Sequence, residues 1–256
     1  DMPTRFVDFM RVLVPMAGDD TTPEGEQVNI YGNHVGSWNF AATAYLNQWK
    51  VKIYYEHYFD DHSQMFFQYG RWKDGHIGLE ITFPKNRFID TFVYEGLGSK
   101  DQTGPMLYDS FWGEFEEQIS AKDNYYNHYL YQGWQHWGMG IGNPLLPGPI
   151  YNKNGQITFI SNRVLAHHIG FCGSPCQSLS YRMLLSYSRH WGTYDNPLNE
   201  IKKQFNSLFE VTYAPQQLKG WSFTVSGAMD RGSILGNNYG GMLVIRKQGI
   251  IKSGNK

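Results

Sequence analysis

One stretch of the sequence, residues 125–138, carries side chains that are well suited to sugar binding. It interleaves Tyr and Trp with Asn, Gln and His. Aromatic rings stack on the faces of sugar rings, and amide and imidazole groups hydrogen-bond sugar hydroxyls. We therefore predict glycan contacts from five residues of this stretch: Tyr125, Tyr126, Trp134, His136 and Trp137. The alternative is that these aromatic residues pack the segment into the interior of a larger structure.

Charged residues recur at positions that alternate with apolar ones. Six of them fall on the polar faces of predicted strands: Lys50, Lys52, Glu56, Glu80, Arg182 and Glu210. Two acids placed on either side of a glycosidic bond can hydrolyse it, but nothing in the sequence pairs these carboxylates. We expect all six side chains to line the lumen of a barrel without a catalytic role.

Histidine is frequent, with 9 residues, but its spacing does not predict a metal site. His167 and His168 are adjacent, so on a strand they point to opposite faces. His128 and His136 have no cysteine or carboxylate at ligand spacing. The sequence also lacks G-x-S-x-G, P-loop and HExxH motifs. We predict no metal, no cofactor and no catalytic residues, and hence a protein that is not an enzyme.

The composition favours many short strands over a helical bundle. Of 256 residues, 16% are aromatic and only 18% are charged, and there are 28 glycines. A net charge of −1 provides no field that would attract nucleic acid. No apolar run reaches about 18 residues, so no transmembrane helix is predicted. The two cysteines, Cys172 and Cys176, are close enough to bridge a hairpin, but neighbouring strand positions often have the wrong geometry for a disulfide.

The spacing of apolar residues predicts one short helix and then strands. Phe6, Phe9, Met10 and Leu13 recur at helical spacing before Pro15. From Trp38 onward the period is two, which gives each strand one apolar and one polar face. About nine strands are predicted, at residues 38–46, 49–56, 76–83, 87–97, 163–171, 179–188, 204–213, 221–226 and 239–246. The fourth of them has mixed polarity on both faces.

The predicted connections are of two kinds that alternate along the chain. Tight turns fall near Asn47 and at 84–86, 174–175 and 215–219, and longer segments at 60–75, 98–162 and 191–203. Outer-membrane barrels have short periplasmic turns and long outer loops. Trp49, Phe83, Tyr213 and Trp221 flank the short turns, where an interfacial aromatic girdle would lie.

These patterns predict an all-β fold, an antiparallel transmembrane β-barrel that forms a single domain over residues 1–256. A closed bacterial barrel normally has an even number of strands. The chain begins at Asp1 and shows nine, so we expect it to be the C-terminal part of a larger barrel, truncated at its N-terminus. The alternative is a soluble antiparallel sandwich, whose strands also alternate.

Several motifs, in their order and density, resemble one known family. They are Gly32–Trp38, Pro84–Phe88, Lys100–Pro105, Asp123–His128, Gly133–Gly138, Ile141–Leu145 and Trp191–Pro197. The chain resembles the Bacteroidetes branch of the capsule assembly protein Wzi family from about Gly32 to about Arg246. The resemblance implies an outer-membrane protein that attaches or organises capsular polysaccharide at the cell surface, without a cofactor and without turnover.

We therefore expect a bacterial outer-membrane protein whose partners are capsular or other surface polysaccharide and outer-membrane lipid, with no nucleic acid. A diffusion porin is one alternative and predicts ion conductance. A soluble secreted glycan-binding sandwich and a glycoside hydrolase are two others. The orientation of His167 is open, and an imidazole facing lipid at mid-depth would be costly. Such an orientation would suggest a shift of that strand by one residue.

Overall fold

The computed structural model describes residues 4–14, 16, 18–22, 34–59, 74–86, 88–102, 124–128 and 133–249. The predicted helix is confirmed: α1 spans Phe6–Leu13. The Arg5 guanidinium donates hydrogen bonds to Asp8 in the first turn of α1, at 3.1 Å. None of the helices in these ranges is long and apolar enough to cross a membrane.

The rest of the described chain is dominated by antiparallel strands. They are β1 Gly36–Leu46, β2 Trp49–Phe59, β3 Gly75–Thr82, β4 Thr91–Gly98, β5 Gln135–His136, β6 Met139–Gly140, β7 Val164–Cys176, β8 Leu179–Gly192, β9 Pro197–Tyr213, β10 Trp221–Gly232 and β11 Asn238–Lys247. β5 and β6 form a small hairpin, and the other nine form one sheet in chain order. The predicted all-β fold is confirmed. Among the described strands, β1 and β11 each have one neighbour, so the sheet is open.

The strand register gives the sheet one mainly polar and one mainly apolar side. Lys52 lies opposite Thr43 on β1 and Glu80 on β3. We call this side the polar face; further along the sheet it carries Glu95, His168, Ser186, Arg182, Glu210 and Asp230. The other side is the apolar face, with Trp38, Phe40, Ile53, Ile77, Ile169, Leu185, Phe209, Val225 and Leu243.

The two ends of the sheet differ in their connections. At the end that we call the loop end, β2 and β4 end and β3 and β7 begin. At the opposite turn end, β1 and β2 are joined by residues 47–48, and β7 and β8 by residues 177–178. Asn47 has φ 56°, a left-handed conformation that asparagine tolerates better than most residues. The tight turn predicted near Asn47 is confirmed. The turn predicted at 174–175 lies instead at 177–178, since β7 continues to Cys176.

The apolar face is exposed, whereas the buried core lies on the polar side. Ile53, Val225 and Leu243 are 55%, 61% and 65% exposed. The core cluster is formed by Tyr126, Leu146, Phe159, Val164 and Ala166. Val164 and Ala166 belong to the polar face of β7 at the loop end, and the other three come from residues 124–163.

Large aromatic residues lie toward both ends of the apolar face. Trp49, Tyr181, Tyr213 and Trp221 lie near the turn end, and Trp49 contacts Phe83 with ring centroids 5.0 Å apart. Trp38, Phe59, Tyr187, Phe205 and Tyr239 lie toward the loop end. The sequence predicted Trp49, Tyr213 and Trp221, together with Phe83, as a girdle beside the short turns. It did not predict the group at the loop end.

The connection between β8 and β9 is short, so the long loop predicted over 191–203 is wrong. Both strands extend until Gly192 lies opposite Pro197, which leaves only residues 193–196 between them. Asn196 donates its backbone N–H to the Thr193 hydroxyl at 2.9 Å and closes the turn. The strict alternation of short and long connections is therefore also wrong.

The turn after β3 is longer than the sequence predicts. The fourth strand begins at Thr91 and not at residue 87. The Asn86 side chain donates to the carbonyls of Pro84 and Ile89 and accepts from the N–H groups of Phe88 and Ile89, at 2.7–2.9 Å. These side-chain hydrogen bonds take the place of backbone bonds between strands. Residues 88–90 therefore belong to the turn and need not alternate as strand residues do.

His167 lies on the apolar face, and its Nδ1 is 2.8 Å from the Tyr94 hydroxyl. The β7–β8 register is continuous from Val164 to Gly173, so the one-residue shift considered for this strand does not occur there. The irregularity comes later, between Gly173 and Cys176. His167 is close to the loop end of β7, where a polar contact is more easily satisfied. The cysteine pair is not bridged.

Candidate functional site

A cavity of about 620 Å³ opens on the polar side of the sheet at the loop end. Its strand wall comes from β1–β4, β7 and β8, and its other wall from residues 125–126, 134 and 142–146. Ligand pockets for small organic molecules have volumes of roughly 300–1,000 Å³. This cavity therefore has room for a short run of sugar units.

The strand wall contains a carboxylate–imidazole cluster. The register places Glu56 opposite His76, and Tyr54 lies on the adjacent row of the same face. His76 Nε2 lies 3.4 Å from Glu95 Oε1, and its Nδ1 lies 3.9 Å from Glu56. The Tyr54 hydroxyl donates a hydrogen bond to the same Glu95 oxygen. The cluster presents both hydrogen-bond acceptors and a donor to the cavity.

A second polar pair continues this wall. Glu95, His168 and Ser186 lie side by side on β4, β7 and β8, and His168 Nδ1 is 2.6 Å from the Ser186 hydroxyl. β8 is paired on both sides, so its backbone N–H groups around Ser186 serve the ladder and form no oxyanion hole. The row is suited to hydrogen-bonding a polar ligand.

The opposite wall is aromatic and is held in a defined shape. Tyr126 and Trp134 stack with ring centroids 5.5 Å apart and planes 17° apart. Tyr126 has φ 71°, a strained conformation for a tyrosine. Its hydroxyl accepts the Asn143 backbone N–H at 2.9 Å, and a Cβ at Gly142 would lie 2.6 Å from it. Glycine at 142 therefore permits the close approach that fixes this ring.

The structure divides the five predicted glycan contacts into two groups. Tyr125, Tyr126 and Trp134 line the cavity, with both tyrosines buried. His136 and Trp137 lie outside the cavity lining, on the hairpin of β5 and β6, and Trp137 is 84% exposed. A sugar chain bound in the cavity would contact the first group, and only a longer chain would reach the second.

Buried polar residues dock the aromatic wall onto the ends of the strands. Asp74 is 1% exposed; it accepts the backbone N–H of Asp101 at 2.8 Å and of Gln102 at 2.5 Å, and the Tyr125 hydroxyl at 3.0 Å. Asn162 donates to the Tyr125 carbonyl at 2.9 Å. Burial raises the pKa of the Asp74 carboxyl to about 6, and the three donated hydrogen bonds limit that rise.

The six charged residues predicted to line a lumen all lie on the polar face. Lys50 forms an ion pair with Glu80 at 3.3 Å, and Arg182 with Glu210 at 3.3 Å. Lys52 lies over the Tyr54 ring at 5.1 Å, and Glu56 lines the cavity. The structure thus brings only Glu56 of the six to the candidate site.

Within the described ranges, no group of three or more His, Cys, Asp or Glu side chains could hold a metal ion. Sequence reasoning missed the residues that shape the site most: Asp74, His76, Glu95 and His168. His76 could have been recognised, because it alternates with apolar residues on a predicted strand. Glu95 could not, because its stretch has mixed polarity on both faces. No protein-family model, curated protein or solved structure matches the chain, so the resemblance to the Wzi family stays a prediction.

Proposed function

We propose that the sheet is part of a bacterial outer-membrane β-barrel and that its loop-end cavity holds a segment of capsular or other surface polysaccharide. One observation carries the proposal: the cavity opens on the polar side of a sheet whose apolar side is exposed. Further strands would pair with β1 and β11 to close the barrel.

The exposed apolar face supports the membrane location. Its central positions carry apolar side chains such as Ile53, Phe209 and Leu243, and a lysine at the bilayer midplane costs about 2–4 kcal/mol. Aromatic residues toward both ends of this face match the two girdles of outer-membrane strands. The polar face in turn carries ion pairs, such as that of Arg182 with Glu210.

The chemistry of the cavity supports a glycan as the ligand. The stacked pair of Tyr126 and Trp134 borders the cavity opposite Glu56, His76 and Glu95. Sugars present an apolar ring face and polar hydroxyls, which such paired walls accommodate. One stacked ring contributes on the order of 1 kcal/mol, so firm retention of a polymer requires several contacts at once. Binding without bond cleavage needs no cofactor.

The residues that fill the loop end argue against a wide diffusion channel. Leu146, Phe159 and Val164 pack into one buried cluster on the polar side. Nine of the eleven described strands form one sheet, and the second sheet has only two short strands, so a sandwich lacks support in this part of the chain.

The proposal is tested first with the full-length protein. We expect it in the outer-membrane fraction, with a migration on gels that shifts on boiling. Capsular polysaccharide extracted from the producing bacterium is then titrated into the purified protein. The conservative double variant Glu56→Gln, Tyr58→Phe changes two residues of the cavity wall.

We expect this double variant to bind the polysaccharide about tenfold more weakly, in line with the loss of about 1.4 kcal/mol. The control Glu210→Gln removes a carboxylate of the polar face outside the cavity lining, and its affinity should be unchanged. A soluble, non-shifting protein contradicts the barrel. Equal affinity of the double variant and the wild type contradicts the cavity as the glycan site.

A further inference from the structure

The apolar face carries a group of cationic side chains at the loop end of β8, β9 and β10. We call Arg189, Lys203 and Arg231 the cationic patch. All three belong to the same side of the sheet as Leu185, Phe209 and Val225, and all three are exposed. On a face whose central positions are apolar, three neighbouring cations at one end require a physical explanation.

The geometry of the patch concentrates positive charge. Arg189 and Lys203 are directly opposite each other across β8 and β9. Arg231 lies opposite Phe205 and thus diagonal to Lys203. Like charges directly opposite on a sheet are destabilising, and diagonal neighbours are within reach of long side chains. This arrangement costs stability unless an anion occupies the space between the side chains.

The described part of the chain does not supply that anion. No ion pair there involves any of the three cations. The nearest acid in sequence, Asp230, is on the polar face and accepts a hydrogen bond from Asn206 at 2.6 Å. Glu200 lies where the β8–β9 register is irregular, and Asp195 lies in the connection after β8.

Further positive charge and aromatic surface border the patch. The Arg189 guanidinium lies 5.2 Å and the Lys100 ammonium 4.9 Å from the Trp191 ring centroid. The Arg163 guanidinium lies 3.8 Å from the ring centroid of Tyr194. Cationic side chains therefore continue from the patch toward the end of β4.

The surface next to the patch is apolar and aromatic. Tyr187 lies opposite Phe205 on the row adjoining Arg189 and Lys203. A ligand that combines an anionic head with an apolar tail fits this junction, because guanidinium and ammonium groups bind phosphate while the tail covers the apolar face. A free phosphate ion would contact the cations and leave the apolar surface uncovered.

We propose that the cationic patch binds the phosphate groups of a phosphorylated lipid in the outer leaflet of the membrane. The inference rests on the proposed membrane location. Basic side chains beside a membrane surface each contribute about 1 kcal/mol toward anionic headgroups, which is about fivefold in affinity. The turn end of the same face differs: its Lys247 ammonium donates to the Lys219 carbonyl and lies 5.4 Å from the Trp221 ring.

The test uses the full-length protein in nanodiscs of phosphatidylcholine, with and without bisphosphorylated lipid A. The patch variant is Arg189→Gln, Lys203→Gln, Arg231→Gln. The control variant, Lys85→Gln, Lys153→Gln, Lys219→Gln, removes the same charge from exposed positions outside the patch. Bound lipid A is counted by native mass spectrometry after detergent extraction, and dephosphorylated lipid A serves as the second probe.

We expect the wild type and the control variant to retain bisphosphorylated lipid A about a hundredfold more tightly than the patch variant, and to lose that preference with the dephosphorylated lipid. Equal retention by all three proteins overturns the inference. Displacement of the lipid by millimolar inorganic phosphate would also overturn it, since the site would then be one for the free ion. Failure of the wild type to enter nanodiscs of phosphatidylcholine alone contradicts the membrane proposal itself and is recognised before lipid A is tested.

Discussion

Replacing Asp74 with asparagine tests whether one buried carboxyl group docks the aromatic wall of the cavity. Its two oxygens accept the N–H groups of Asp101 and Gln102 and the hydroxyl of Tyr125. Burial raises the pKa of this carboxyl from 3.8 to about 6. The docked state therefore binds the proton more tightly than a state in which Asp74 faces water.

The direction and size of the pH effect follow from that pKa. Above about pH 6 the carboxyl is charged in both states, so docking does not depend on its protonation. As the pH falls from about 6 to about 4, the docked state takes up the proton first, and docking becomes more stable. A rise of about two pKa units corresponds to roughly 3 kcal/mol, at 1.36 kcal/mol per unit, or about a hundredfold in the opening equilibrium.

The assay is hydrogen exchange at the backbone amides of Asp101 and Gln102 in the detergent-solubilised full-length protein, corrected for intrinsic rates. Protection in the wild type should rise as the pH is lowered from 7 to 4.5. In Asp74→Asn it should be independent of pH, and lower by about 1–3 kcal/mol because the amide NH2 cannot accept the Gln102 N–H.

An exposed acid, Asp195, provides the control: Asp195→Asn should keep the pH dependence of the wild type. Protection that falls on acidification of the wild type would refute the reasoning. The same conclusion would follow if Asp74→Asn retained the full pH dependence, because another group would then control docking.

Two further substitutions test the faces of the sheet. Ile53→Lys places a charge in the middle of the exposed apolar face. It should make membrane insertion less favourable by about 2–4 kcal/mol, measured by folding into lipid vesicles. The control Thr43→Lys, on the polar face, should fold normally. Gly78→Ala places a methyl group where the ring of Tyr54 lies, so the ring must move away from Glu95. We expect the free energy of unfolding, measured by urea titration, to fall by about 1–3 kcal/mol. An unchanged midpoint would disprove the contact.

The sequence by itself determined the nine strands of the large sheet, apart from some of their ends, and the side of the sheet to which most residues belong. Lys52 and Ile53 are neighbours in the chain and point to opposite faces, which is a local consequence of the strand period of two. The same rule placed Arg182 and Glu210 on one face. In the turn before β4, the Asn86 side chain makes hydrogen bonds that strand pairing would otherwise make. Alternation along the chain does not show such bonds, so the predicted start of this strand was wrong.

Only the tertiary structure decided which of these residues meet. His76 and Glu95 come together because of the register between β3 and β4, and Arg189 faces Lys203 because β8 and β9 continue through a stretch that the sequence assigns to a loop. Asp74 meets the turn at Asp101 only when the segment after β4 docks. Registers and docked segments depend on contacts between residues far apart in the chain, and alternation along one strand contains no information about such contacts.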